Sequence, residues 1–216
     1  MSSRKKEKLS RTPKAKKGSA VLIPLAKING ELTILFERRS ARLRTQPGEI
    51  CLPGGAIEEG ESAKKAAVRE TMEELLIAKD QIEVLDAMDS VASPSGAPVW
   101  PYVAKVRRYK GTFSADEVDS VIAVPLSVLL AAEPEVHKVE MVPVPGEDFP
   151  YDLIPGGRDY PWHRKVRIMY FYRLPNLVIW GMTADVIRQF TEVYGDHFER
   201  TGKKPKKKNK KFANEG

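Results

Sequence analysis

The stretch GAIEEGESAKKAAVRETMEELLI, residues 55–77, decides the reading of this chain. Ser62 is a residue type that caps helix N-termini, and the residues after it support a helix to about Leu76. At about 100° per residue, Glu70, Glu73 and Glu74 share a sector of roughly 100°, with Ala63, Ala66 and Ala67 among them. Val68, Met72, Leu75 and Leu76 fall on the opposite side. An ordinary solvated face mixes Glu with Lys at i,i+4 spacing, but Lys64 and Lys65 point away from this sector. Like charges so placed destabilise a bare helix, and a divalent cation reverses the sign. Hard cations such as Mg²⁺ prefer carboxylate oxygens, and alanines beside the carboxylates leave room for a cation and a phosphate. On spacing alone, an exposed acidic patch is the competing reading.

Upstream lies a Gly- and Pro-rich loop, TQPGEICLPGG, preceded by AVLIPLAKI and ELTILFE on either side of Asn29-Gly30. That dipeptide fits a type I′ turn, whose two central residues need positive φ, and so predicts a hairpin. Downstream, strands are expected at 82–88, 98–106 and 166–173, with a short helix after Pro125. A last helix is expected from about Thr183 to Tyr194, stopped by Gly195, and a long loop from Val139 to His163. The order is mixed α/β, without internal repeats.

The 55–77 string resembles the Nudix box, G-x5-E-x7-R-E-U-x-E-E-x-G-U with U aliphatic. Gly55, Glu61, Arg69, Glu70, Glu73, Glu74 and Ile77 fall in place. Thr71 stands where an aliphatic residue is usual, and Leu76 replaces the glycine that lets the chain leave the helix. The resemblance implies an α/β/α sandwich with a mixed sheet and a loop-helix-loop catalytic motif. It implies metal ligation by Glu70, Glu73 and Glu74 with the Gly54-Gly55 backbone close to the cation, Arg69 orienting a neighbouring glutamate, and Glu61 completing the acidic cluster. The implied catalytic set is therefore Glu61, Arg69, Glu70 and Glu73, and the metal set Glu70, Glu73, Glu74 and Gly55. The reaction implied is attack of water on a diphosphate with Mg²⁺ or Mn²⁺ as cofactor. Asp116, Glu117 or Asp119 could add a further carboxylate, against the plainer reading of solvated loop residues.

The run LFERRSARLRTQPGEICLPGG, residues 35–55, resembles a second motif, L-L-T-x-R-S-x3-R-x3-G-x3-F-P-G-G, found in coenzyme A pyrophosphatases. Leu35, Arg39, Ser40, Arg44, Gly48, Pro53, Gly54 and Gly55 agree, whereas Phe36, Glu37 and Leu52 replace Leu, Thr and Phe. VIWGMTADVI, residues 178–187, is similar to the I-W-G-x-T-A run that opens the last helix in that group. The resemblance implies substrate binding by Arg39, Ser40 and Arg44. Arginines suit planar, multidentate phosphate recognition, here of a 3′-phosphate apart from the diphosphate. The plainer reading is a loop whose arginines pair with Glu37 and Glu49. Trp180 is expected to anchor packing rather than stack on a ligand.

The reading is a hydrolase of coenzyme A or acyl-coenzyme A, giving phosphopantetheine and adenosine 3′,5′-bisphosphate. Within the same class, ADP-ribose, a dinucleotide cofactor or a nucleoside triphosphate is the alternative substrate. From another class comes a non-catalytic module binding a nucleotide or RNA, against which the complete glutamate set argues.

The remaining composition fits this picture. Residues 1–18 and 200–216 each hold eight Lys or Arg against one Glu, so a chain of formal charge +7 carries −7 between them. Both ends are expected to be basic disordered tails, solvated or in weak contact with a polyanion, flanking a domain at 19–199. Phe212 is the one aromatic residue of the second tail, which offers no stacking platform for single strands. Cys51 is the sole cysteine, which excludes an intramolecular disulfide and predicts a cytoplasmic setting. His137, His163 and His197 are isolated, so no zinc spacing exists. The longest apolar run, Val121 to Ala132, is broken by Pro125 and too short for a membrane span.

Overall fold

The computed structural model describes residues 18–201, and the two basic tails lie outside them except for their innermost residues. The hairpin forms as expected from β1 (Ser19–Ile28) and β2 (Glu31–Arg39), with Asn29 at φ 49° and Gly30 at φ 88°. Two short strands follow, β3 (Ile50–Cys51) and β4 (Gly54–Ala56), then helix α1 (Ala63–Leu75). Next come β5 (Ile82–Ala87), β6 (Val91–Ala92), β7 (Pro98–Val106), β8 (Val118–Pro125) and α2 (Leu126–Ala131). The chain ends with β9 (Glu135–Met141), β10 (Lys165–Leu174), β11 (Leu177–Trp180) and α3 (Gly181–Thr201).

Strands β1 to β8 form one mixed sheet ordered β3-β2-β1-β7-β5, with β4 on β1, β6 on β7 and β8 on β2. Only the β1–β7 pairing is parallel among those described in this sheet. The period-two pattern of β1 separates its faces. Ala20 and Leu22 pack with Ala66 and Ala67 of α1, whereas Val21, Ile23 and Leu25 join a core that includes Val186, Ile187 and Phe190 of α3. Helices thus cover both faces, which gives the expected α/β/α sandwich with a mixed sheet.

Several expectations need correction. A second sheet, β11-β10-β9, is present, so the stretch from Val139 is not loop from its start: β9 runs to Met141 and pairs with β10. Strands β8 and β9 went unread because pairing partners, rather than local pattern, define them, and β11 is the short return arm of a hairpin with β10. Gly195 does not stop α3. Its open side faces Leu130 of α2, and the helix continues because Phe198 packs with Phe190 in the core. On α1, the buried residues are Ala66, Ala67, Thr71, Glu74 and Leu75, while Leu76 is exposed. The side holding the alanines and Glu74 therefore faces the sheet. Small side chains let the helix sit close enough for Glu74 to reach beneath it. Among the described residues, no helix is long and apolar enough to cross a membrane.

Candidate active site

Helix α1 starts at Ser62, whose Oγ accepts from Lys65 N–H at 3.4 Å. It ends at Leu76, which adopts the left-handed conformation, φ 50° and ψ 51°, that the sequence pattern assigns to glycine. The exit is therefore made as in a glycine-capped helix, and Thr112 Oγ1 covers a freed carbonyl by donating to Leu75 O at 2.7 Å. Thr71 is fully buried, and its hydroxyl is satisfied by Ala67 O at 2.7 Å.

Arg69 gathers the first group of acids. Its Nε donates to Glu61 Oε1 at 3.2 Å, Nη2 to Glu61 Oε2 at 3.1 Å, and Nη1 to Glu70 Oε1 at 2.8 Å. Nη1 also reaches Glu73 Oε2 at 3.4 Å, and Nη2 the carbonyl of Ala56 at 3.2 Å. Arg69 thus ties the helix to the glycine loop as well as orienting glutamates. Hydrogen bonding from Arg69 holds the Glu61 carboxyl below the usual range, and the same contacts, Glu61 first, secure the guanidinium charge. Glu73 is the exposed member of the set.

Glu74 turns the other way. Its Oε2 accepts the Gly54 N–H at 2.8 Å, and the side chain is buried. Burial pushes its pKa up to about 8, against the Gly54 hydrogen bond and with help from the charges of Glu70 and Glu117. Burial also raises Glu70, opposed by Arg69 and aided by Glu73 and Glu117. Arg69 draws Glu70 and Glu73 while Glu74 turns to Gly54, and among the described residues no three His, Cys, Asp or Glu side chains are grouped as a set of ligands for one metal ion. Gly55 lies so close to the Glu70 carboxyl group that an added Cβ would overlap it. This close backbone approach, with carboxylate oxygens around it, suits a hard divalent cation.

The residues of the 35–55 run are spread more widely than their common motif suggests. Arg39 Nε donates to Thr45 O at 3.3 Å, and its charge lowers the pKa of both Glu37 and Glu74, so it faces the acidic cluster. Ser40 is buried in a turn, its N–H bonded to Glu117 O at 2.9 Å and its Oγ accepting from Arg42 N–H. Arg44 is exposed in the loop. Glu49 takes a hydrogen bond from Gln46 rather than from an arginine. Of the three outside acids, Asp116 and Asp119 are exposed, and Asp116 lies 3.7 Å from Arg42. Glu117 is also exposed, yet its charge acts on Glu37, Glu70 and Glu74. The loop that carries it is pinned to α1 by Ser114 N–H donating to Glu74 O at 2.8 Å.

One residue was read only as a motif mismatch and an ion-pair partner. Glu37, which directly follows the apolar run Ile34–Phe36 of β2, is 1% exposed and lies beside Glu74. Burial first, then Glu74, raise its pKa well above the usual carboxylate range. A charged side chain inside the run TILFE was the available signal. Cys51, opposite it across β2 and β3, has its thiol pKa pushed up to about 12 by burial and by the carboxylates of Glu37 and Glu74. Trp180 was expected in the core, but it is partly exposed and stacks on Phe171 with centroids 5.9 Å apart. A cavity of about 910 Å³ between α3, β10 and the loop after β6 is lined by Lys165, Arg167 and Arg188 among others, and shares no residue with the glutamate site.

The family model of the NUDIX domain matches residues 16–166. The chain is 31% identical over 175 residues to the uncharacterized Nudix hydrolase NudL of Citrobacter koseri, covering 79% of each protein. It is 33% identical over 132 residues to the peroxisomal coenzyme A diphosphatase NUDT7 of Mus musculus, covering 60% of this chain and 55% of that one. Against Nudix hydrolase 3 of Caenorhabditis elegans it is 32% identical over 121 residues, 54% and 50% of the two proteins, so about half the length of these last two relatives is spanned. Among solved structures, a C. elegans Ap4A hydrolase binary complex aligns with a TM-score of 0.44 at 25% identity, covering 50% of this chain and 80% of that one. With the Arg69–Glu70–Glu73–Glu74 helix packed on a mixed sheet inside the matched region, this chain belongs to the Nudix family of hydrolases.

Proposed function

We propose that the protein is a coenzyme A or acyl-coenzyme A diphosphatase dependent on Mg²⁺ or Mn²⁺, releasing phosphopantetheine and adenosine 3′,5′-bisphosphate. The observation that carries this reading is the motif over residues 35–55, which ends in the glycine loop against Glu70 and Glu74. The likeness to a mouse coenzyme A diphosphatase supports the same substrate.

Glu70, Glu73, Glu74 and the Gly55 backbone are the groups we assign to the cation. When bound, a divalent cation neutralises phosphate oxygens and lowers the pKa of the attacking water. Gly54 N–H fixes the Glu74 carboxylate, and Arg69 fixes that of Glu70, so both are oriented before substrate arrives. Glu61 holds Arg69 in place. Arg39 offsets the buried acids, and exposed Arg44 is the residue we assign to the 3′-phosphate.

Product release from coenzyme A, dephospho-coenzyme A and ADP-ribose, with and without Mg²⁺ or Mn²⁺, tests the assignment. A charge-assisted contact to the 3′-phosphate contributes about 1.5–3 kcal/mol, so kcat/KM for coenzyme A should exceed that for the dephospho form by roughly ten- to a hundredfold. Replacing Arg44 by Ala should narrow that gap. Hydrolysis of ADP-ribose with neither coenzyme A form cleaved would overturn the substrate and leave the family standing.

A further inference from the structure

Glu37 lies on the face of β2 that Leu35 shares, and Leu35 packs with Leu75 and Ile77 around the end of α1. It is thereby placed beneath the C-terminal turn of α1, where Glu74 comes down to Gly54. The charge of Glu74 acts on the Glu37 carboxyl group, as do those of Arg39 and Glu117. Glu37 Oε1 is buried and has no hydrogen-bond partner.

A sheet has no structural need for this arrangement. A buried carboxyl without a full set of partners costs stability, and an apolar or hydroxyl side chain would fill the strand without that cost. The coenzyme A motif has Thr at this position. Arg69 pairs with Glu70 at 2.8 Å, so Arg39 is left as the positive charge acting on Glu37 and Glu74, to which Glu117 adds a further negative one. A divalent cation beside Glu74 would supply both the missing charge and the missing partner.

We propose that Glu37 is an additional carboxylate of the cation centre: it faces the divalent ion together with Glu74, and Oε1 is the oxygen it offers. This rests on the cation-dependent reading above and extends the ligand set by one residue outside the helix. It carries a binding consequence that catalysis alone would not reveal. An extra carboxylate tightens cation binding, and without the cation it leaves acids crowded under α1.

The test uses the full chain, stripped with chelator, as parent, Glu37→Gln, Glu37→Thr and Glu74→Gln. Free Mn²⁺ is followed by electron paramagnetic resonance during titration, and thermal melts are recorded with and without Mn²⁺. Glu37→Gln keeps the volume and can still donate a hydrogen bond to Glu74, but lacks the charge. We expect it to weaken Mn²⁺ binding by about tenfold or more and to shrink the Mn²⁺-induced rise in Tm. Its metal-free Tm should equal or exceed the parent's. Glu37→Thr should behave in the same way and carries the readout should the amide fail to fold. Parent-like Mn²⁺ affinity in both Glu37 variants, alongside loss of binding in Glu74→Gln, would overturn the role of Glu37 and spare the cation reading. A parent that binds no Mn²⁺ would overturn both.

Discussion

Glu74 combines burial, a backbone hydrogen bond and acidic neighbours, and each has a measurable consequence. Glu74→Gln and Glu70→Gln should each lower kcat by orders of magnitude with the fold intact, because the amide keeps the volume but loses the charge that the proposed cation binding requires. Steady-state kinetics with circular dichroism as the folding control checks this, and parent-like turnover would reduce the helix to an acidic surface. Stability should also depend on pH. The folded protein holds the Glu74 proton more tightly than the unfolded chain, since its pKa is raised from 4.5 to about 8. The destabilising contribution is therefore absent below about pH 4.5 and fully present above about pH 8. Metal-free Tm should fall as pH rises through that window, and saturating Mg²⁺ should flatten the fall. Gly55→Ala should weaken Mn²⁺ affinity, because the added methyl overlaps the Glu70 carboxyl; unchanged affinity would show that this approach is not needed.

Between residue and fold stand the ends of the two long helices. Leu76 is an exposed non-glycine residue at φ 50°, a conformation costing an L-residue roughly 1 kcal/mol. Replacing it by Gly removes that strain and little packing, although glycine gains freedom in the unfolded chain. A net stabilisation of up to about 1 kcal/mol is expected by urea unfolding, and a loss would mean that the leucine packs usefully after all. At the other end, α3 runs past Gly195 so that Phe198 can enter the core. Phe198→Ala should cost about 3–5 kcal/mol in the same measurement, as for other buried aromatic truncations. A cost below 1 kcal/mol would place the end of the working helix at Gly195.

For the molecule as a whole, the charge is divided between an acidic middle and basic ends. The glutamate site is assembled from α1, the glycine loop, β2 and the loop before β8, all within the described residues. A truncated chain of residues 18–201 should keep its kcat, checked against the full chain at equal Mg²⁺. Loss of most activity in a folded truncation would assign the basic ends a part in the site.

Local chemistry was enough to define α1, its Ser62 cap, the Asn29-Gly30 hairpin and the seven box positions, because each depends on neighbours within one or two turns of chain. The box pattern also carried the sandwich fold. Tertiary structure alone decided which side of α1 is buried, since that depends on how closely alanines let the helix approach β1. It decided that Leu76 takes the left-handed exit, that Gly195 is a packing site rather than a stop, and that β8 and β9 exist, each through a partner distant in sequence. It also brought Glu37 to Glu74 across 37 positions of chain, a pairing of two acids that only a packed helix and sheet can impose.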